Sequence, residues 1–434
     1  MDNYFKIKVK QRTQSQWLIW LMIVVTFSLA TSIQFLHFPT VIKYSLDLLC
    51  VFLILIMIKN RWTFANKEMI FLYGWIGTFL IITLINYFFN YQSVFYYLWG
   101  LRNNFRFYII FFACAFFMKK DDTGLVFKLF DIVFWINSII CFVQYFVFEI
   151  KQDNLGGVFG VEEGCNGALN LFLVIVIIKS MIFFLNKEET IIECLLKCAS
   201  ALIISAFAEL KFFYIEFAII VIMAVLITKF TFRKFLVIIG GVLGLVVSIS
   251  LLIDIFPIFE DFFTIEAILD SATDVSGYTA SGDMNRLTGM AIINERFLKG
   301  FGEKLFGLGL GNCDYSSYEF LSSPFFEKYS ELHYTWMSTT WGYLENGLIG
   351  VVFFFGFFVI IAILMLKRIL KKDTDVKLVQ IVLILCVCCV LIGIYNASLR
   401  TETAYLVYFI LSIPFWSNRN MTKKREMKVE KYDT

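Results

Sequence analysis

Long apolar runs, each near the ~20 residues that a bilayer requires, recur along the chain and are separated by short polar breaks. The pattern predicts twelve membrane-spanning helices, at 17–36, 40–58, 68–89, 98–118, 125–148, 166–185, 190–208, 211–228, 234–256, 341–366, 376–396 and 402–417. One break is different. Residues 257–340 make a polar, aromatic, acid-rich loop of about 80 residues, far longer than a usual connection, which marks it as functional. The expected fold is all-α: a polytopic membrane protein forming one integral membrane domain over 1–434, with 257–340 as its large loop. In that loop Ser281 or Asp283 can cap a helix from Met284 to Leu298 that ends at Gly300. Leu287, Met290, Ile293 and Phe297 recur at helical spacing along one face, and Arg286 falls in the first turn.

Composition agrees with this pattern. The 434 residues are 59% hydrophobic and 18% aromatic, with 51 Phe and only 4 Pro, above the apolar share of soluble domains. No soluble domain, linker, low-complexity segment or internal repeat stands out. The first apolar run is long and no small-residue cleavage site follows it, so a cleavable signal peptide is not expected.

Charge orients the chain. Lys6, Lys8, Lys10 and Arg12 precede the first span, and Lys59, Arg61 and Lys67 follow the second. Later clusters recur at every even crossing and end with Lys423, Lys424 and Arg425 in the tail. Two of the alternate loops, 36–39 and 90–93, carry no Lys or Arg. Basic residues mark the cytoplasmic side, so both termini are expected there and the large loop outside. The net charge of +3 says little beyond this distribution, and nothing calls for a nucleic-acid partner. Most of the ten cysteines lie inside apolar runs and none has zinc-ligand spacing, so neither metal nor cofactor is expected. Cys165 and Cys313 alone would lie outside the membrane, where a disulfide between them is conceivable.

Charged side chains inside a membrane default to functional candidates. Lys43 and Asp47 are four apart, which a local ion pair explains. Arg102 and Arg106 are also four apart and repel one another. They need anionic partners, either a lipid phosphate or protein carboxylates. Lys128, Lys179 and Lys197 lie nearer inner helix ends and can snorkel. Glu162 and Glu163, in the glycine-rich loop 149–165, can bind hydroxyls or simply be solvated.

Glu209 and Lys211 sit at a tight junction between two apolar helices. A Lys opening a helix opposes the helix dipole, so an anion is expected beside it. Gly307, Gly309 and Gly311 either offer backbone amides to an anion or form a plain turn. His333, one of two histidines, can take a proton from a hydroxyl near neutral pH. Tyr315, Tyr318, Tyr334 and Trp336 surround it as rings that can stack on sugar faces.

In this order the motifs resemble the O-antigen polymerase and O-antigen ligase families of bacterial surface-polysaccharide assembly. Trp99 to Arg106 resembles their G-x-R-N-x-x-R span. Glu209-Leu210-Lys211 stands where members place a basic residue at a helix junction. Asn285-Arg286 leads to Leu305-Phe306-Gly307-Leu308-Gly309-Leu310-Gly311, similar to their Arg segment and glycine turn. His333 followed by Glu345-Asn346-Gly347-Leu348-Ile349-Gly350 resembles their His and following span. Two departures stand out: Tyr334 where ligases usually have Asn, and Leu210-Lys211 where many members have Ser-Arg. Lys lacks Arg's bidentate grip on phosphate.

The resemblance implies a metal-independent, inverting glycosyltransferase of the bacterial cytoplasmic membrane. It would polymerise oligosaccharide repeat units carried on undecaprenyl diphosphate, with membrane lipid around it and a chain-length regulator and a flippase as partners. Arg286 and Lys211 would hold the diphosphate, helped by Arg102, Arg106 and Arg400. His333 would act as base and Arg286 would support catalysis. A ligase that moves a finished glycan, or a flippase without bond chemistry, are the alternatives.

Overall fold

A computed structural model of the chain describes residues 12–60, 66–90, 92–257, 276–279, 282–371 and 375–416. Ser281 and the basic tail lie outside the described residues. Among those described, the protein is all-helical, 79% helix without strands. Each of the twelve apolar runs contains a helix. These are α1 (Gln14–Gln34), α2 (Ser45–Lys59), α3 (Lys67–Phe89), α4 (Val94–Phe117), α5 (Thr123–Phe146) and α6 (Cys165–Leu185). They continue with α7 (Ile191–Phe207), α8 (Lys211–Ile227) and α9 (Phe232–Ile255). After three short loop helices, α10 (Gly289–Arg296), α11 (Phe301–Phe306) and α12 (Pro324–Tyr329), come α13 (Ser338–Leu370), α14 (Val376–Tyr395) and α15 (Ala404–Ser412).

Eight of these are long and apolar enough to cross a membrane, α2 counted with its preceding turn Thr40–Tyr44. The other four differ for visible reasons. Helix α4 carries Arg102, Asn103, Asn104 and Arg106 along its middle, α7 and α8 have 17 residues each, and α15 has 9.

Burial sorts the bundle. The most apolar stretch of α6 is 89% buried and that of α14 is 72% buried, against 22–39% for the other six. α6 and α14 are therefore the core, hydrophobic all round, while the outer helices keep an apolar face for lipid. α14 packs against α13, α6 and α8, and α15 fills the gap between α4 and α6. Many of the largest buried side chains are aromatic, such as Phe107, Phe111, Phe357, Tyr405 and Tyr408, and they meet edge-on or stacked.

At the end of the bundle away from the loop, Lys179 and Lys197 do not snorkel. Both are 4% exposed. Lys179 reaches Asp131 at 2.7 Å and Glu189 at 3.0 Å, and Lys197 reaches the same two carboxylates at the same distances. Two cations and two anions close a ring that ties α5, α6 and α7. Mutual neutralisation is what lets charges stay buried.

The described part of the large loop has its own small core. Met284, Ile292, Ile293, Leu298, Cys313 and Tyr334 pack on Met337, Trp341 and Leu344 at the start of α13. The expected helix from Met284 begins only at Gly289, so Arg286 is not in its first turn. Asn285 explains the delay: its Oδ1 accepts from the Leu287 amide at 2.9 Å, a local bond that competes with helix. Leu287 is consequently exposed, while Ile293 is fully buried. Asp283 does not cap the helix. It faces His333 instead.

The glycine run has a structural job. Helix α13 breaks at Gly347 (φ 61°), which frees the carbonyls before it. The Leu308 amide donates to the Leu344 carbonyl at 2.8 Å, and the Gly309 amide to the Glu345 carbonyl at 3.0 Å. A Cβ at Gly307 would stand 2.4 Å from the Glu345 carbonyl carbon, and one at Gly347 would stand 2.3 Å from that of Leu305. Only glycine allows this mutual approach.

Candidate functional site

Two charged assemblies lie at the loop end of the bundle. The first surrounds Arg102 and Arg106 on α4. Arg102 reaches Asp47 of α2 at 2.9 Å. Arg106 is 4% exposed and donates to Glu402 at 3.0 Å and to the Arg400 carbonyl at 3.1 Å. Asp47 therefore serves α4 rather than Lys43. Of the two sources of anion expected for these arginines, protein carboxylates are the one found.

Arg400 belongs to the same assembly. Its guanidinium lies 3.6 Å above the Trp341 ring and pairs with Glu345 at 3.2 Å. Glu345 is fully buried, and its other oxygen accepts from the Gly311 amide at 3.1 Å. The anion that the glycine run meets is thus internal. Asp314, also fully buried, accepts from Asn103 at 2.7 Å and from the Tyr315 amide at 2.8 Å. Burial pushes its carboxyl above the usual range, and Arg400 and these bonds pull the other way. Arg102, Arg106 and Arg400, expected to help hold a diphosphate, are engaged by Asp47, Glu402 and Glu345.

The second assembly is built differently. The α7–α8 junction turns within three residues, with Glu209 in the left-handed region (φ 55°). The Leu210 amide donates to the Ser205 carbonyl and the Lys211 amide to the Glu209 carbonyl, each at 2.9 Å. Lys211 pairs with Glu209 at 3.2 Å, the compensation expected at a helix start. Next to it, Phe212 stacks on Tyr395 at the end of α14, with ring centroids 4.1 Å apart and planes within 5°. Arg286 comes in from the loop. Its guanidinium lies 4.3 Å from the centre of the Tyr395 ring and donates to the Tyr395 carbonyl. Arg286 and Phe212, the residue after Lys211, therefore share the Tyr395 ring, which brings both cations to this end of α14. Among the described residues Arg286 forms no ion pair. Among those residues its partners are the neutral carbonyl and ring of Tyr395.

His333 stands at the mouth of α13. Its backbone is left-handed (φ 51°), and its ring stacks on Trp336 with centroids 3.9 Å apart. Nδ1 lies 2.5 Å from Asp283 Oδ1. The Met284 amide donates to the Leu332 carbonyl at 3.0 Å, which clamps the two stretches of loop together. His333 is three-fifths covered, so its ring is held yet reachable. Left-handed non-glycine residues cost energy and collect at functional sites, and both Glu209 and His333 are of that kind.

The expected sugar-facing rings divide. Tyr315, Tyr318 and Trp336 are 49%, 39% and 45% exposed. Tyr334 is 1% exposed and its hydroxyl donates to the Cys313 carbonyl at 2.7 Å, so it is loop core and not a platform for a sugar. Cys165 and Cys313 are both free thiols, and Cys313 is fully buried. Among the described residues no group of three or more His, Cys, Asp or Glu side chains is arranged to hold a metal.

Sequence reasoning did not single out Tyr395, Glu402 or the role of Asp283. Glu402 had a signal, since it stands two residues after Arg400. Tyr395 had none beyond its place at a helix end.

The helices define a multi-pass membrane protein. No protein-family model matches the chain, and no curated protein matches it.

The two assemblies predict opposite responses to loss of a cation. Arg106→Ala leaves Glu402 with only Arg102, 3.9 Å away, while Asp47 keeps Arg102, and is expected to cost about 3 kcal/mol, the low end for breaking a buried pair. Arg286→Ala removes no ion pair and is expected to stay within about 1 kcal/mol of the parent protein. Thermal unfolding of the purified proteins in one detergent checks this, and a larger loss for Arg286→Ala would reverse the assignment.

Proposed function

We propose that this protein is a membrane glycosyltransferase that polymerises oligosaccharide repeat units carried on undecaprenyl diphosphate into a bacterial surface polysaccharide. The observation that carries the reading is that Arg286 and Phe212, the neighbour of Lys211, lie against the same Tyr395 ring at the α7–α8 junction. Two cations drawn from distant parts of the chain thus come to the same end of α14, and among the described residues Arg286 forms no ion pair. A diphosphate would give Arg286 an anionic partner and add a second to Lys211, which already pairs with Glu209.

In the proposed reaction His333 accepts the proton of the acceptor hydroxyl. The freed oxygen attacks the anomeric carbon of the donor glycan from the side opposite the carrier. The bond from that carbon to the diphosphate oxygen breaks, and the configuration inverts. Negative charge grows on the departing undecaprenyl diphosphate, where Arg286 and Lys211 strengthen their hold. Fixed cations aimed at developing charge lower a barrier without reorganising. Tyr315, Tyr318 and Trp336, each partly exposed, would contact the sugars.

In this reading all twelve apolar helices span the cytoplasmic membrane, both termini are cytoplasmic, and residues 257–340 face outward. The carrier's lipid tail enters between helices. A flippase would deliver the donor and a chain-length regulator would limit the product. Neither metal nor cofactor enters the proposed step. An acceptor carrying the same repeat unit makes the protein a polymerase; a different final acceptor would make it a ligase.

Two measurements test this reading. With purified protein and lipid-linked repeat units, His333→Ala should lose roughly 10²- to 10⁴-fold in turnover while still binding donor. Near-parental turnover by His333→Gln, which keeps a side chain of similar reach, would make His333 a strut. For topology, an impermeant thiol reagent on intact cells should label a cysteine placed at the exposed Ser317 and spare one placed at Asn420. Label on the tail alone would invert the orientation.

A further inference from the structure

His333 has two ring nitrogens, and only one can face the acceptor. Nδ1 is taken by Asp283 Oδ1 at 2.5 Å. Asp283 is itself fixed on several sides. Its amide donates to Thr279 Oγ1 at 3.2 Å, while its carbonyl accepts from the Thr279 amide at 2.8 Å. The Thr279 hydroxyl also reaches Oδ2 at 3.5 Å. On the other side of the contact, the His333 ring lies flat against Trp336, with planes 14° apart. The backbone between Met284 and Leu332 closes the arrangement. The ring has lost both its freedom to rotate and its choice of partner for Nδ1.

We propose that Asp283 is a positioning residue for His333: it keeps the proton of the neutral imidazole on Nδ1 and so leaves Nε2 as the atom that takes the acceptor proton. The inference rests on the glycosyl-transfer reading only for what Nε2 does. The tautomer itself follows from the contact, because an ionised carboxylate can only accept and Nδ1 must then donate. Trp336 sets the plane of the ring and Asp283 sets its proton. When Nε2 takes a proton from a hydroxyl, the carboxylate also stabilises the imidazolium that forms. The arrangement is a base oriented by a third group, assembled from residues 50 apart in the chain.

The chain's composition makes this directly measurable. It has only two histidines, so a His37→Gln protein carries His333 alone. With ¹⁵N-labelled histidine and the full chain in lipid bilayers, solid-state NMR reads which nitrogen of the neutral ring is protonated. The expected result is Nδ1 protonated and Nε2 bare, with the preference lost in Asp283→Ala. In turnover assays Asp283→Ala should fall roughly 10²-fold, the lower end of what a positioned base contributes, with donor KM little changed.

The unsubstituted Asp283 protein is informative even where the variant fails to fold: a proton on Nε2 there overturns the inference. So does an unchanged tautomer in a folded Asp283→Ala protein. Because NMR needs no substrate, these outcomes are separate from failure of the functional reading. That failure would show as full turnover by His333→Ala while the protein that retains His333 shows the Nδ1 proton, and the catalytic meaning of the contact would fall with it.

Discussion

The loop end of the molecule depends on where one buried carboxylate, Glu345, finds its positive partners. It sits in α13 two residues before the break at Gly347 and has no exposed surface. One oxygen takes the Arg400 guanidinium and the other the Gly311 amide. Its backbone carbonyl takes the Gly309 amide. A charge cut off from water must be matched by such contacts or the site does not form. This one residue therefore holds together the broken helix, the glycine run and the turn between α14 and α15. Gly100 of α4 packs on that same glycine run, since a Cβ there would stand 2.6 Å from the Gly311 nitrogen. Loop and bundle are one packed unit at this point.

That rigidity divides the cations by role. Arg102, Arg106 and Arg400 are matched by carboxylates and serve as struts between α2, α4, α13 and α15. Arg286 lies against Tyr395 at the end of α14, where Phe212, the neighbour of Lys211, stacks on the same ring. There Lys211 pairs with Glu209, and among the described residues Arg286 forms no ion pair. The His333–Asp283 contact belongs to the same loop, anchored by the small core around Ile293 and Tyr334.

Much of this architecture was legible in the residues. Apolar runs of bilayer length are a strong signal, and every one of them contains a helix. The pairing of Arg102 and Arg106 with anions followed from two like charges one turn apart, but the sequence offered several carboxylates and no means of choosing Asp47 and Glu402. The helix around Arg286 was misjudged because periodicity does not register the bond from Asn285 to the Leu287 amide. The glycines were readable as a turn or an anion site, and the break at Gly347 decides the matter by freeing carbonyls for their amides. Tyr334 looked like a surface ring among surface rings. Its burial comes from the loop core, which no single stretch of sequence contains. Asp283 and His333 lie 50 residues apart, and their contact depends on backbone pairing that side-chain spacing cannot report.

The central claim is that Arg286 and Lys211 together form the seat of a lipid diphosphate. The direct measurement is binding of undecaprenyl diphosphate to the purified full-length protein in nanodiscs, comparing the parent with Arg286→Ala, Lys211→Ala and the control Lys304→Ala. The account predicts at least a roughly tenfold loss of affinity for each of the first two, about 1.4 kcal/mol apiece, and little change for the control. Unchanged affinity in the Arg286→Ala and Lys211→Ala proteins, both folded, would contradict it.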